Sequence, residues 1–216
     1  TLVPATENYL EPWALLGFGR MHAYACLPLL PNSIPSTTAP AQLTIRRAET
    51  DDAEHLRAMA FLTADELQQA PTWALTPPET RRERPDQYAA IVEDEEVTCW
   101  LAFVGKEAVG FQAWYPAEME ADTLDMPEQA IELAAAGVHA TWRGQGIARA
   151  LTAHALAHAQ TAGYRYAITN WRTTNLTAAR TWPRLGFSTV MYRLHRHVDE
   201  RILWGQLAAG SGAVSQ

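Results

Sequence analysis

Apolar and polar residues alternate through Leu43-Thr44-Ile45-Arg46-Arg47, the period-two pattern of a strand with one buried face. Thr50-Asp51-Asp52 follows, ahead of apolar positions at Leu56, Met59, Ala60 and Leu67. That spacing predicts a helix capped by the Thr-Asp-Asp run. A second helix fits between Pro78 and Val92. Two apolar runs, 97–104 and 108–115, flank Gly105-Lys106-Glu107 and read as a hairpin. Residues 116–128 form an acidic, proline-bounded loop, and 131–139 an apolar strand. Residues 146–162 read as a helix, apolar nearly all round and therefore largely buried. A strand at 164–169, a helix at 176–185 and a strand at 187–194 complete the series. The order β-α-α-β-β-β-α-β-α-β predicts an α/β class of fold, a mixed sheet covered by helices.

Length and composition leave that picture intact. The 216 residues, 48% of them hydrophobic, suffice for one domain with a substantial core. Residues 31–42 carry three prolines and a Ser/Thr cluster and read as a linker between a short N-terminal segment, 1–30, and a domain over 43–204. The Gly/Ser-rich 205–216 reads as a flexible tail. A net charge of −7 argues against nucleic acid as a partner, since such binders cluster Lys and Arg. Cys26 and Cys99 lie far apart, which disfavours a disulfide framework or a thiolate metal site. No run reaches the ~18 apolar residues of a membrane span. The apolar stretch 13–30 lacks the basic flank of a signal peptide and is interrupted by Arg20 and His22. These features predict a cytoplasmic location without membrane partners.

The strongest chemical signal is the passage from strand to helix through Val138-His139-Ala140-Thr141-Trp142-Arg143-Gly144-Gln145-Gly146-Ile147-Ala148. Glycines at a helix start let the backbone approach a ligand, and the first amides there have no internal acceptor. With the helix dipole they make an anion site suited to a pyrophosphate, and Arg143 adds a fixed positive charge. A nucleotide P-loop would need Lys after Gly146, and a dinucleotide fingerprint would need Gly where Arg149 stands. A merely tight strand–helix turn is the plain alternative.

Arg143-x-x-Gly146-x-Ala148 matches the Q/R-x-x-G-x-G/A motif of the GNAT superfamily of N-acetyltransferases, and downstream Asn175, Ala178 and Gly186-Phe187 resemble its second half. Element order extends the resemblance over about 43–200. It implies the GNAT fold, a mostly antiparallel sheet splayed between the family's fourth and fifth strands. It also implies acetyl-CoA as co-substrate, its pantetheine on the main chain near Gly137, Val138 and Ala140, its pyrophosphate on the amides of Arg143, Gly144, Gln145, Gly146, Ile147 and Ala148, and Asn175 bonding pantetheine or a nearby water. The implied reaction is direct attack by an amine of a small molecule or peptide, with the Val138 amide polarising the thioester. Glu132, six residues before Val138, stands where several members place a catalytic base. Strand alternation puts Glu132, Ala134, Ala136 and Val138 on one face unless a bulge intervenes. The family's usual acid, a Tyr four residues before Gly-Phe, is replaced by Trp182, whose indole is no usable acid; either another group serves, with Tyr192 and Tyr115 as candidates, or the thiolate leaves unassisted. That departure keeps a catalytically silent acyl-CoA-binding or regulatory domain open as an alternative. The acceptor and the oligomeric state, including a homodimer, stay open.

His154 and His158 share a helix face at metal-ligand spacing, but position 155 is Ala and no third ligand is evident; no metal is expected there. Trp13-x-x-Leu16-Gly17-Phe18 repeats Trp182-x-x-Leu185-Gly186-Phe187. Residues 1–30 therefore resemble the last strand–helix–strand of another GNAT domain, as in a tandem protein, and cannot bury their own apolar face alone.

Overall fold

The computed structural model describes residues 1–34, 40, 42–117, 127–199 and 201. The centre of the predicted acidic loop, part of the linker and the tail at 205–216 lie outside the described residues. Eight strands form one sheet: β1 (Leu2–Pro4), β2 (Gly19–Pro28), β3 (Leu43–Arg47), β4 (Thr98–Val104), β5 (Glu107–Pro116), β6 (Ala130–Val138), β7 (Tyr166–Arg172) and β8 (Ser188–His195), in the order β1-β8-β2-β7-β6-β5-β4-β3. The helices are α1 (Glu7–Leu15), α2 (Ala53–Met59), α3 (Leu62–Leu67), α4 (Pro78–Ala89), α5 (Ile147–Thr161) and α6 (Leu176–Arg184).

The helices divide between the two faces of the sheet. Leu56 and Met59 of α2 meet Leu101, Phe111 and Ala113, with Leu62 and Tyr88 against them. On the other face Leu151, Ala155 and Leu156 of α5 and Trp182 of α6 cover Val109, Trp114, Leu133, Ala167 and Trp171. α5 is buried along one stripe rather than all round, because its alanines extend over both faces while only one meets the sheet. The helix predicted from residue 50 is broken at Ala60 and Phe61 into α2 and α3. Its entry is fixed by Asp52, whose carboxylate takes two bonds from Arg46 (2.6 and 2.7 Å) and one from the Glu49 amide (2.9 Å). The caps are thus Glu49 and Asp52, reciprocally bonded, one residue earlier than the Thr-Asp-Asp run implies.

α3 lies very close to β6. A Cβ on Gly137 would stand 3.0 Å from the Phe111 ring and 3.1 Å from Leu62 Cβ. Gly137→Ala should therefore cost about 1–3 kcal/mol, the usual range for overpacking, measured as a lower urea midpoint at unchanged slope.

The sequence pattern gave no indication of where the N-terminal segment goes. β2 lies between β7 and β8, antiparallel to both, and Ala23, Ala25, Leu27 and Leu29 enter the main core. A local two-fold relation explains the insertion. Aligning the two Trp-x-x-Leu-Gly-Phe segments makes His22 correspond to Met191, Ala23 to Tyr192 and Tyr24 to Arg193. In the sheet Ala23 pairs with Tyr192, His22 with Arg193 and Tyr24 with Met191, so the axis passes between Ala23 and Tyr192. β1 then stands to β8 as β7 stands to β2: Val3 pairs with Tyr192 as Trp171 pairs with Ala23. Even the exits match, with Ala5 N–H donating to Val190 O (2.9 Å) and Thr173 N–H to Met21 O (3.0 Å). Trp13 packs edge-on to Phe18 as Trp182 does to Phe187. Each strand–helix–strand segment, β1-α1-β2 and β7-α6-β8, thus pairs its first strand with the last strand of the other.

Candidate active site

β6 and β7 run parallel but pair over only three positions, Ala130 with Tyr166, Ile131 with Ala167 and Glu132 with Ile168. Beyond that point each strand continues without the other, to Val138 and Arg172. The gap between them widens into a cavity of about 680 Å³ that reaches the start of α5 on one side and Tyr88 of α4 on the other.

Main-chain polarity along the β6 wall follows from its register. His139 N–H donates to Val109 O at 2.9 Å. Since bonded and non-bonded pairs alternate in an antiparallel ladder, the neighbouring Gly110–Val138 pair is a non-bonded one. The N–H and C=O of Val138 therefore point away from β5 and into the gap. Val138 O receives Arg143 Nε at 3.0 Å, and Ala136 O receives the Thr63 hydroxyl. The Arg143 guanidinium also meets Glu66 at 3.0 Å, so it lies across the mouth of the cavity.

Gly144 (φ 75°) and Gly146 (φ 82°) both adopt left-handed backbone, which L side chains rarely tolerate. That turn stops the 3-10 segment Ala140–Trp142 and aims the unsatisfied amides at the start of α5 into the cavity mouth. Arg143, Gly144, Gly146, Ile147 and Ala148 line it. Gln145 instead turns outward and donates to Thr141 O (3.2 Å). Ala140 stands in the connection just before this turn, outside the cavity lining. On the opposite wall Asn175 caps α6, its Oδ1 accepting from Ala178 N–H at 3.1 Å, which leaves its amide N–H₂ as the donor at the cavity. Trp182, 8% exposed, lines the same wall.

Glu132 is 7% exposed and sits at the last paired position before the strands part. Asn170 Nδ2 donates to its carboxylate at 3.3 Å, and the Tyr115 hydroxyl donates to it as well. Burial, and then the Glu132 charge, push the Tyr115 hydroxyl up to about 12, so Tyr115 holds its proton firmly. The alternation expected along this strand is broken. Ala113 pairs with Ala135 but Trp114 pairs with Leu133, a bulge at Ala134. Leu133, Ala136 and Val138 consequently face α5, whereas Ala135 faces α2. Glu132 thus lies on the face opposite the Ala136 and Val138 side chains, and Asn170, not Glu132, borders the cavity.

Tyr192 is not brought to the site. It lies under Arg20, whose guanidinium is 4.7 Å from the ring centroid, between the main core and the small cluster beneath α1. The cause is the inserted β2, which moves β8 one strand further from the gap. His154 and His158 pack edge-on against Trp100, with centroids at 4.4 and 5.1 Å. Burial, then His158, lower the His154 pKa. Among the described residues no group of three metal-ligating side chains comes together, and no helix is long and apolar enough to cross a membrane. His22 of β2, Arg84 of α4 and Arg172 of β7 also line the cavity. Nothing local in the sequence marks them, since they meet only through strand pairing and tertiary packing.

Residues 60–187, more than half of the chain, match the family model described as "Acetyltransferase (GNAT) family". The chain belongs to this family. Its fold is shared with a functionally unknown conserved protein from Staphylococcus epidermidis (TM-score 0.56, 16% identity, covering 88% of this chain and 66% of that one). It is shared also with a GCN5-related N-acetyltransferase from Sphaerobacter thermophilus (TM-score 0.55, 19% identity, 91% and 58%). A third similar structure is the aminoglycoside N-acetyltransferase AAC(6')-Iy in complex with CoA (TM-score 0.53, 17% identity, 76% and 99%). At these identities the likeness concerns the fold. The chain spans 66% of the length of the first of these proteins and 58% of the second. Comparison with curated proteins finds no match. The matched segment begins after β2, so the family model says nothing about the N-terminal strand that closes one side of the site.

Proposed function

We propose that this GNAT-family chain is an acyl-CoA-dependent N-acyltransferase, acetylating a primary amine of a small molecule or peptide by direct attack on the thioester. The observation that carries this reading is the gap between β6 and β7, with outward-facing Val138 on one wall and Asn175 on the other, ending on the free amides of α5. These residues fit the donor: an elongated chain needs a groove with main-chain partners, and a pyrophosphate needs free amides and a guanidinium. Val138 would hold the pantetheine arm, with Asn175 opposite. Arg143, Gly144, Gln145, Gly146, Ile147 and Ala148 would hold the pyrophosphate. Acetyl-CoA supplies an acyl group activated as a thioester.

The protein then has two tasks. The Val138 amide, facing the gap, polarises the acyl carbonyl. Glu132 accepts the proton of the attacking amine through a solvent molecule beside Asn170, because the carboxylate itself stops short of the cavity wall. The new C–N bond forms as the C–S bond breaks, and the thiolate is protonated from solvent. A catalytically silent acyl-CoA-binding domain is the second reading, favoured by Trp182 at the usual acid position and by Tyr192 lying outside the cavity. We also propose that residues 1–30 descend from the last strand–helix–strand of a second GNAT unit, which the matched registers on either side of the Ala23–Tyr192 axis support.

Calorimetric titration of acetyl-CoA and CoA into the protein tests donor binding. The double variant R143E/G146D removes a charge-assisted contact and places a carboxylate in left-handed backbone among the amides. It should weaken CoA by ~100-fold or more, from losing roughly 3 kcal/mol of interactions with a charged ligand. Equal binding by parent and variant would place the donor elsewhere.

A further inference from the structure

The acceptor half of the cavity has an unusual charge. On a chain of net charge −7, four arginines line this cavity (Arg84, Arg143, Arg149 and Arg172) against one acid, Glu66. Glu66 is already engaged with Arg143. Arg143 and Arg149 flank the start of α5, where the pyrophosphate is placed. Arg84 and Arg172 do not. Arg20, Arg46, Arg57, Arg81 and Arg201 reach a carboxylate elsewhere; Arg84 and Arg172, like Arg47, Arg82, Arg165 and several others, have no ion pair among the described residues, but these two line the cavity away from α5.

Arg84 and Arg172 belong to the same face of the sheet. Arg172 follows Trp171, which enters the core under α5 and α6, so alternation turns Arg172 toward the α2–α4 side. Its partner across the ladder is His22, next to Tyr24, which pairs with Asn170; Asn170 in turn bonds Glu132. Arg84 comes to this side from α4, with its guanidinium 5.9 Å from the Tyr88 ring centroid. Only three buried side-chain polar atoms among the described residues lack a partner, and two of them, His22 Nδ1 and Arg84 Nε, belong to residues lining this cavity. Unpaired buried polar groups are rare and call for a ligand or water in place. Burial, then the charges of Arg172 and Arg193, keep the His22 pKa below its usual value, so the ring is a neutral hydrogen-bonding group rather than a third cation.

We propose that the amine acceptor also carries an anionic group, a carboxylate or phosphate, which binds between Arg84 and Arg172 against His22. This rests on the acyltransferase reading of the same cavity and specifies its substrate class. An anion there neutralises two unpaired guanidiniums, and the amine at the other end of the same molecule is directed toward Asn170 and Glu132. A polyamine acceptor would place ammonium groups against Arg84 and Arg172 without compensation. His22 is supplied by the inserted strand β2, so acceptor recognition is built partly from residues outside the segment that matches the family.

The experiment uses matched probes: α-amino acids, the carboxamides of the same amino acids, phosphoethanolamine, and spermidine. Binding to the protein with CoA present is measured by calorimetry, and CoA release from acetyl-CoA is measured separately. The expected result is at least tenfold tighter binding of an acid than of its carboxamide. In R84Q and in R172Q that ratio should collapse toward one, and a rise in KM should exceed any fall in kcat. Phosphoethanolamine bound in preference to the amino acids identifies the anion as phosphate, and the reverse identifies it as carboxylate. Acids and carboxamides bound equally with phosphoethanolamine no tighter, no probe bound at all, spermidine preferred, or a preference for the anionic probe unchanged in both variants would each overturn the proposal. Discriminating binding without CoA release from any probe would uphold the anion site while refuting acyl transfer, so the two failures are distinguishable.

Discussion

Deleting residues 1–30 is expected to leave no soluble, cooperatively folding protein, although the segment lies wholly outside the part of the chain that matches its family. The reason is positional. β2 is an interior strand, so its removal strips partners from both β7 and β8, and these cannot close on one another without shifting by a full strand spacing of ~4.8 Å. Ala23 and Ala25 are at most 2% exposed, and Leu27 and Leu29 are nearly as deeply buried. Losing the two leucines alone removes ~4–10 kcal/mol at the 2–5 kcal/mol usual for a buried leucine truncation, against a total stability of about 5–15 kcal/mol. The new edges of β7 and β8 would be long and unprotected, which favours aggregation. Expression of 31–216 beside the full chain, followed by circular dichroism and thermal melting, checks this. A monomeric truncated protein with a cooperative transition would show instead that β7 and β8 can pair directly and that β2 is an accessory.

That outcome bears on how far the sequence could be read. The strands and helices from residue 43 onward are legible because each carries a local pattern: alternation in β3, apolar runs in β4 and β5, and the glycine turn before α5. The glycine turn proposed to bind the pyrophosphate is equally local, so Arg143 to Ala148 can be named from spacing. The position of β2 is not local. Its own residues are a run of mixed character, and nothing in 19–28 specifies which two strands it separates. The repeated Trp-x-x-Leu-Gly-Phe segment marks two similar stretches of sequence, but not which strands each of them pairs with. Tyr192 is misplaced for the same reason, since its distance from the gap depends on a strand inserted from elsewhere in the chain. The face of Glu132 is lost to a different cause, a single-residue bulge at Ala134 whose sequence, Ala134-Ala135-Ala136, carries no signal of its own. Arg84, Arg172 and His22 gain their meaning only from tertiary proximity, and each alone reads as an ordinary surface-capable residue.

Glu132→Gln is expected to lower kcat by ~10²–10⁴-fold, the range for removing a positioned proton acceptor, with the affinity for CoA nearly unchanged. The two halves of this prediction come from separate parts of the site. Glu132 is bonded by Asn170 and Tyr115, whereas the groups proposed to hold the donor are the Val138 main chain, Asn175 and the α5 amides. Glutamine has nearly the same volume, and its carbonyl oxygen can still receive Asn170 and Tyr115, so the variant should fold and melt close to the parent. What it cannot do is take up the proton that the attacking amine releases. Glu132→Ala is the harsher comparison, since it also leaves the Tyr115 hydroxyl and the Asn170 amide without their acceptor in a buried position, at a cost of about 1–3 kcal/mol each. If kcat falls only in the alanine variant, Glu132 holds Tyr115 and Asn170 in place and the amine is deprotonated by solvent. If Glu132→Gln alone slows single-turnover acetylation while acetyl-CoA still titrates to the same endpoint, the carboxylate takes the proton. The bulge at Ala134 then has a function: it turns Glu132 to the acceptor side while leaving the Val138 main chain aimed at the thioester.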